Sequence, residues 1–170
     1  MAEFTLKGTP FHTSGDLPSI GSMAPHFTLV NADLVDKSLK DFPGKRKMLS
    51  IVPSLDTPIC SLSAIKFNQS LEEHNDVLAF FISADLPFAQ KRFCGVENLH
   101  NIQTLSMMRS KDFAKSYGLL IVDGPLAGLS ARAIIILDEQ NKVVYVEFVS
   151  EITHEPNYDR ALQALLKKPS

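Results

Sequence analysis

Three runs of apolar residues predict the central strands of a sheet. They span residues 48–52, 77–84 and 131–137. Because these runs are apolar on both faces, we expect strands that are covered by helices on each side. Residues 143–149 follow a short polar turn and predict an antiparallel partner for the third run.

Helical segments are predicted between these strands, over residues 59–73, 88–93 and 112–117. A last helix is expected to begin at residues 157–160. In this helix the apolar positions follow helical spacing, at Tyr158, Ala161, Leu162, Leu165 and Leu166.

The N-terminal residues predict a β-hairpin. Residues 4–6 and 11–13 flank a Gly/Pro turn at 7–10, and residues 27–30 predict one further short strand. The alternation of strands and helices indicates an α/β fold with a central mixed β-sheet flanked by helices. The length of 170 residues fits a single domain over residues 1–170.

Composition and charge narrow the possible functions. With 45% hydrophobic and 21% charged residues, the chain has the balance of a folded globular protein. The formal net charge of -2 gives no electrostatic reason to expect a nucleic acid or an anionic membrane as partner. The N-terminus lacks the pattern of a signal peptide, and no run approaches the roughly 18 apolar residues of a membrane helix. We therefore expect a cytoplasmic protein with no membrane association.

The chain offers no pattern for a metal or a cofactor. Its five histidines show no metal-ligand spacing, and it has no glycine-rich nucleotide motif. Its two cysteines are too few for a disulfide scaffold, so in a reducing compartment they are either inert or catalytic.

The position of Cys60 favours a reactive thiol. Pro53 ends a core strand, Thr57 is the expected N-cap of the next helix, and Pro58 suits the first helical position. Cys60 then falls in the first turn, where unpaired N–H groups and the helix dipole favour a thiolate. The alternative is that Cys60 is a small buried hydrophobic residue.

Several motifs resemble one family. Pro53, Thr57 and Cys60 match the P-x-x-x-T-x-x-C signature of the peroxiredoxins. Four further features resemble the thiol peroxidase branch of that family, the atypical 2-Cys peroxiredoxins: SLDTPIC with KFNQ at residues 66–69, RFC at 92–94, DGPLAGLSARAIIILDE at 123–139, and the N-terminal hairpin. The resemblance extends over nearly the whole chain. The pattern of elements fits the thioredoxin-like fold of this family.

The resemblance implies roles for individual residues. Cys60 would attack the peroxide and become a sulfenic acid, and Thr57 would hold the peroxide. Pro53 would shield the thiolate from water. Arg132 would stabilise the thiolate and polarise the peroxide with its always-protonated guanidinium. The alternative for Arg132 is a surface charge at the edge of a strand.

Cys94 lies 34 positions after Cys60, so the pair is no C-x-x-C motif. It follows the predicted helix 88–93, and Gly95 is expected to end that helix. The resemblance implies that Cys94 resolves the sulfenic acid as an intrachain disulfide, which thioredoxin then reduces. It also implies a homodimer and, as substrates, hydrogen peroxide and alkyl or lipid hydroperoxides. The alternative is a free thiol on a surface helix.

Two other function classes stay open. A peroxide sensor would use the same cysteines to pass oxidation to a partner and would be oxidised once, without turnover. A Cys–His hydrolase would need a histidine paired with Cys60, and no local signature marks one.

Pro58 departs from many members of the branch, which carry a small residue there. Because proline stiffens the first helical turn, and this turn must partly unwind to bring the Cys60 sulfur to Cys94, Pro58 should slow the disulfide step without abolishing activity. We expect Pro58→Gly to form the disulfide faster in stopped-flow measurements. An unchanged rate would contradict this interpretation.

Overall fold

The structure is a computed structural model that describes residues 1–167; residues 168–170 of the predicted domain lie outside the described part.

The chain begins with an antiparallel hairpin of β1 (Glu3–Leu6) and β2 (Thr9–His12). Its turn is formed by Lys7 and Gly8, whose φ angles of 51° and 84° lie in the left-handed region. The predicted hairpin is therefore confirmed, with a tighter turn than the predicted 7–10 segment.

Within the described residues, the central sheet has seven strands. In chain order they are β3 (Leu29–Val30), β4 (Asp36–Lys37), β5 (Arg46–Ile51), β6 (Val77–Ser83), β7 (Gln103–Ser106), β8 (Ala133–Leu137) and β9 (Val143–Phe148). Their spatial order is β4-β3-β7-β6-β5-β8-β9. Strands β5, β6 and β7 run parallel, whereas the other neighbours pair antiparallel. The predicted mixed sheet is confirmed.

The hydrophobic pattern of the sequence does not predict two strands of this sheet. β7 carries the polar residues Gln103, Thr104 and Ser106, and β4 has two residues. β7 is defined by pairing with the more distant β6, and β4 by a short hairpin with β3, rather than by their own composition. The predicted strand over 27–30 forms only at its last two residues.

Four helices lie within residues 1–167: α1 (Pro58–Ser70), α2 (Pro87–Val96), α3 (Asp112–Ser116) and α4 (Tyr158–Leu166). All four predicted helices are present. Helix α1 ends three residues earlier than predicted. None of the helices in the described range is long and apolar enough to cross a bilayer.

The predicted end of α2 at Gly95 is wrong. The helix continues through Gly95, and Asn98 takes the left-handed conformation with φ 55°. The Leu99 N–H then donates to the Cys94 carbonyl at 2.8 Å, and the Asn98 N–H donates to the Gly95 carbonyl at 3.3 Å. This is the hydrogen-bond pattern of a Schellman C-terminus, in which asparagine can replace glycine. Cys94 consequently lies inside the last helical turn.

The sheet separates two apolar cores. Alternate residues of each central strand face opposite sides, as in β6, where Phe81 and Phe80 belong to different cores. One core contains Phe4 of the hairpin and Phe113 of α3. The other contains Cys60 of α1 together with Leu165 of α4. The candidate nucleophile therefore lies on the face that α1 and α4 cover.

The N-terminal hairpin is anchored by His12. Its Nδ1 hydrogen bonds Asp123 Oδ2 at 2.8 Å, and its backbone N–H donates to Asp123 Oδ1 at 2.7 Å. Glu3 Oε2 lies 3.5 Å from His12 Nε2. The side-chain hydrogen bond to Asp123 raises the pKa of His12, and the same hydrogen bond lowers the pKa of Asp123.

This pair predicts a pH-dependent stability. Because the folded-state pKa of His12 is raised, its contribution is fully present below the ordinary histidine pKa of 6.5 and is lost as pH rises through the folded value. We expect His12→Gln to lower the melting temperature at about pH 5.5 and to lower it less at about pH 9.

The control is His154→Gln, which changes an exposed histidine outside this contact. It should leave the melting temperature unchanged at both pH values. A His12→Gln effect that is equal at both pH values would contradict the assignment.

Candidate active site

Cys60 is held at the start of α1, close to the end of β5. Pro53 is buried at the strand end, and Thr57 takes an extended backbone (φ −103°, ψ 148°) immediately before Pro58 at the first helical position. Cys60 is the third residue of the helix, with 0% of its surface exposed. The predicted position in the first turn is confirmed, so the positive end of the helix dipole lies at the sulfur.

The Thr57 side chain does not cap the helix as its position predicts. Its hydroxyl donates to the Ser54 carbonyl at 3.0 Å instead. Because the hydroxyl proton is used in this way, its oxygen can accept a hydrogen bond from a bound molecule. Ser61 Oγ donates to the Leu55 carbonyl at 2.9 Å and ties the loop to the helix.

Arg132 lies against the Cys60 sulfur. Its Nη1 donates to Cys60 Sγ at 3.0 Å, while its Nε donates to the Ile152 carbonyl at 3.0 Å. Only 4% of Arg132 is exposed, which excludes the alternative of a surface charge. The residue precedes β8 directly, so the central sheet fixes the place of the guanidinium.

The charge of this guanidinium needs compensation. Between residues 1 and 167, no carboxylate lies within ion-pair distance of Arg132. Burying a charge without a partner costs on the order of several kcal/mol, because the ion loses its hydration. The group in contact with the guanidinium that can carry a negative charge is the Cys60 sulfur.

Tyr158 of α4 contacts α1 one turn after Cys60. The Tyr158 hydroxyl donates to Glu155 Oε1 at 3.0 Å and lies 3.0 Å from Ser63 Oγ, which then acts as donor. The Tyr158 ring packs edge-on against Phe67 at 5.1 Å. Burial raises the pKa of Tyr158 to about 12, so the hydroxyl keeps its proton. The apolar spacing of α4 predicts Tyr158 as a packing residue, but nothing in the sequence indicates its bond to Ser63.

Cys94 occupies a different environment from that of Cys60. It is half-buried in the last turn of α2 and packs against the same core. Burial raises the pKa of the Cys94 thiol. Both cysteines are free thiols.

A cleft of about 280 Å³ separates the loop before Cys60 from α2. Its apolar lining consists of Leu55, Ala89, Phe93 and Val96. Arg92 and two aspartates, Asp56 and Asp85, supply its polar groups. The cleft thus lies between the elements that carry the two cysteines.

Histidine plays no part in this arrangement. In the described part of the chain, the hydrogen bond to Cys60 Sγ comes from Arg132, and no histidine contacts the sulfur. The same residues contain no group of three or more His, Cys, Asp or Glu side chains that could hold a metal ion. A Cys–His hydrolase is therefore disfavoured.

Known proteins resemble this chain over nearly all of its length. The Redoxin family model matches residues 19–162. A thiol peroxidase of Leptospira interrogans (serogroup Icterohaemorrhagiae, serovar copenhageni) is 48% identical over 166 residues, which are 96% of this chain and 97% of that protein. A peroxiredoxin-like protein from Aquifex aeolicus superposes with a TM-score of 0.91 at 39% identity, covering 97% of this chain and 96% of its own. A thiol peroxidase from Chromobacterium violaceum gives a TM-score of 0.88 at 28% identity, with coverages of 96% and 94%.

The contact between Arg132 and Cys60 can be tested by removing the charge. We expect Arg132→Met to lower the rate of peroxide consumption about a hundredfold, the usual effect of losing one preorganised donor at a reacting centre. In a Cys94→Ser background, the ultraviolet thiolate absorbance at neutral pH should fall as well, because the sulfur loses its counter-charge.

Arg46→Met is the matched control. Arg46 is a partly buried arginine that donates to the Leu165 and Ala164 carbonyls at the end of α4. Its replacement should lower stability and leave the peroxide rate of the folded protein unchanged. Equal rate losses in both variants would show that Arg132 acts through stability alone.

Proposed function

This chain belongs to the Redoxin family as a peroxiredoxin-type thiol peroxidase, and we propose that Cys60 attacks the hydroperoxide and Cys94 closes an intrachain disulfide. The observation that carries the proposal is the 3.0 Å contact between the buried Arg132 guanidinium and the Cys60 sulfur.

In the first step, the Cys60 thiolate attacks the terminal oxygen of ROOH. The O–O bond breaks, the sulfur is oxidised to Cys60–SOH, and the alkoxide leaves as ROH with a proton from solvent, which replaces the one that the Cys60 thiol released on ionising. Arg132 stabilises the thiolate and the charge that develops on the peroxide oxygens. Thr57 accepts the peroxide O–H, and buried Pro53 keeps water from the sulfur.

In the second step, the Cys94 sulfur attacks the sulfenic acid. A Cys60–Cys94 bond forms and one water molecule leaves, so that both cysteines share the oxidation. Burial raises the pKa of Cys94 and keeps it a thiol in the resting enzyme, whereas the contact with Arg132 supports Cys60 as the cysteine that meets the peroxide.

The surroundings of the site support organic hydroperoxides alongside hydrogen peroxide. The cleft beside the active-site loop has Leu55, Ala89 and Phe93 in its walls. Apolar walls of this kind favour an alkyl or lipid chain over water.

Turnover requires an external dithiol, for which we propose thioredoxin: it reduces the disulfide, restores both thiols and becomes oxidised itself. The chain has only two cysteines, too few for a disulfide scaffold, which supports the reducing cytoplasm as the site of action. A homodimer is supported by large apolar side chains exposed around α2. They are Leu86, Phe88 and Val96, with 53%, 65% and 75% of their surface accessible.

The cycle can be tested by mass spectrometry under non-reducing conditions after one equivalent of cumene hydroperoxide. We expect a single-chain product that has lost two hydrogens and contains a Cys60–Cys94 peptide link. With thioredoxin, its reductase and NADPH, the protein should then consume excess peroxide continuously.

The variant Cys94→Ser serves as control. It should still consume one equivalent of peroxide, stop at the sulfenic acid and fail to turn over with thioredoxin. An intermolecular disulfide in the wild type, or undiminished turnover in Cys94→Ser, would overturn the cycle. One stoichiometric oxidation without turnover would indicate a sensor.

A further inference from the structure

Asp85 lies where the loop before Cys60 meets the ends of two parallel strands. It follows β6, and its carboxylate accepts three hydrogen bonds from described residues. Oδ1 accepts from Ser54 Oγ at 2.6 Å. Oδ2 accepts from the Leu55 N–H and from Ser83 Oγ, both at 2.7 Å. Ser54 and Leu55 belong to the loop that leads into α1, so this carboxylate holds the loop to the sheet.

The same network reaches the helix that carries Cys94. Gln90 Nε2 donates to Ser83 Oγ at 3.0 Å and to the Leu105 carbonyl of β7 at 3.0 Å. Gln90 is fully buried, and Pro87 is the other buried residue of α2. Helix α2 is thus fixed to the sheet near its N-terminal end, whereas Cys94 lies one turn further on.

The backbone of Asp85 is fixed as well. Ser106 Oγ at the end of β7 donates to the Asp85 carbonyl, and the Asp85 N–H donates to Ser83 Oγ at 3.3 Å. Asp85 cannot shift without breaking contacts to both strands. The carboxylate therefore has a fixed position from which it can orient a flexible loop.

We propose that Asp85 is a positioning residue of the peroxidase reaction, which holds the Cys60 loop in its peroxide-reactive conformation against the fixed end of α2. This inference rests on the proposed function. The residue acts through Ser54 and Leu55 and does not touch the reacting atoms. The reacting bonds are those of the cycle above, and Asp85 neither gains nor loses a proton.

The charge of the carboxylate strengthens all three contacts, which come from two hydroxyls and one backbone N–H, because hydrogen bonds to an ionised acceptor are about twice as strong as neutral ones. An ionised aspartate is acceptor-only, whereas asparagine has one acceptor oxygen and presents an NH₂ on the other side. In Asp85→Asn the oxygen can still accept from Leu55 and Ser83, but the Ser54 hydroxyl must turn to accept from the NH₂, and all three contacts become neutral and weaker. The side chain keeps its size, so packing changes little.

The two chemical steps should respond differently. A looser loop places the Cys60 thiolate less well for the peroxide, so the first step becomes slower. The disulfide step needs the loop and α2 to leave their resting contacts, and a loosened loop does not hinder it. A second peroxide can oxidise the sulfenic acid to sulfinic acid in competition with the disulfide step. Because reaction with peroxide is slowed and the disulfide step is not, the ratio of sulfinic acid to disulfide at a given excess of peroxide should fall.

The test uses the full chain and compares Asp85→Asn with Asp76→Asn. Asp76 is exposed and precedes β6 at the opposite end of the same strand. Sulfenic acid formation is followed in a Cys94→Ser background, and the sulfinic-to-disulfide ratio is measured by mass spectrometry with Cys94 present. We expect about a tenfold slower first step and a lower sulfinic fraction in Asp85→Asn, with neither change in Asp76→Asn.

Ser54→Ala provides a second variant that keeps the carboxylate and two of its donors. It should slow the first step less than Asp85→Asn does. If Asp85→Asn does not fold, the rate of the first step in Ser54→Ala alone decides the test. An unaltered first step in either folded variant overturns the inference. So does a loss of both steps in proportion to the folded fraction, because that is the effect of instability alone.

The outcome is separable from the proposed function. Failure of the wild type to form the Cys60–Cys94 disulfide overturns the cycle itself. A normally cycling wild type beside an Asp85→Asn protein with wild-type kinetics overturns only the role of Asp85.

Discussion

The contact between the Arg132 guanidinium and the Cys60 sulfur is the constraint on which the rest of the site depends. A permanently charged group with 4% of its surface exposed must have a compensating anion. Cys60 can supply that anion, as proposed, only because the start of α1 lies beside the start of β8. The buried strands and the contact of Tyr158 with Ser63 of α1 maintain this arrangement. The packing of the core therefore also fixes the contact between Arg132 and Cys60.

The two cysteines differ because they lie at opposite ends of helices. Cys60 lies at the N-terminal end of α1, with free N–H groups and Arg132 nearby. Cys94 lies in the last turn of α2, where the dipole is negative, and burial raises its pKa further. These environments support the proposed roles, in which Cys60 is the nucleophile and Cys94 the thiol that reacts second.

Local signals in the sequence were enough for the elements that their own residues define. The apolar runs of β5, β6 and β8 predict the sheet, and Pro58 with Thr57 predicts the start of α1. Contacts between residues that lie far apart in the sequence could not be predicted from it. Strand β7 forms by pairing with β6. The sequence also does not indicate that α2 continues through Gly95 to Val96, after which the Leu99 N–H bonds back to the Cys94 carbonyl. Asp85 follows an apolar strand, which is a recognisable place for a functional acid, but two of its donors come from the loop before α1, about thirty positions earlier in the chain.

Burial is distributed unequally between the two helices that carry the cysteines. Helix α1 buries five residues, among them Phe67, which packs against Phe81 of the sheet and Tyr158 of α4. Helix α2 buries two, both before Cys94. Because the free energy of local opening rises with the apolar area that must be exposed, the C-terminal half of α2 opens at lower cost than the body of α1. The proposed disulfide step would need such opening, whereas the proposed peroxide step would need a rigid setting for Cys60. The packing is consistent with both, because Cys60 lies on the well-packed helix and Cys94 on the less buried one.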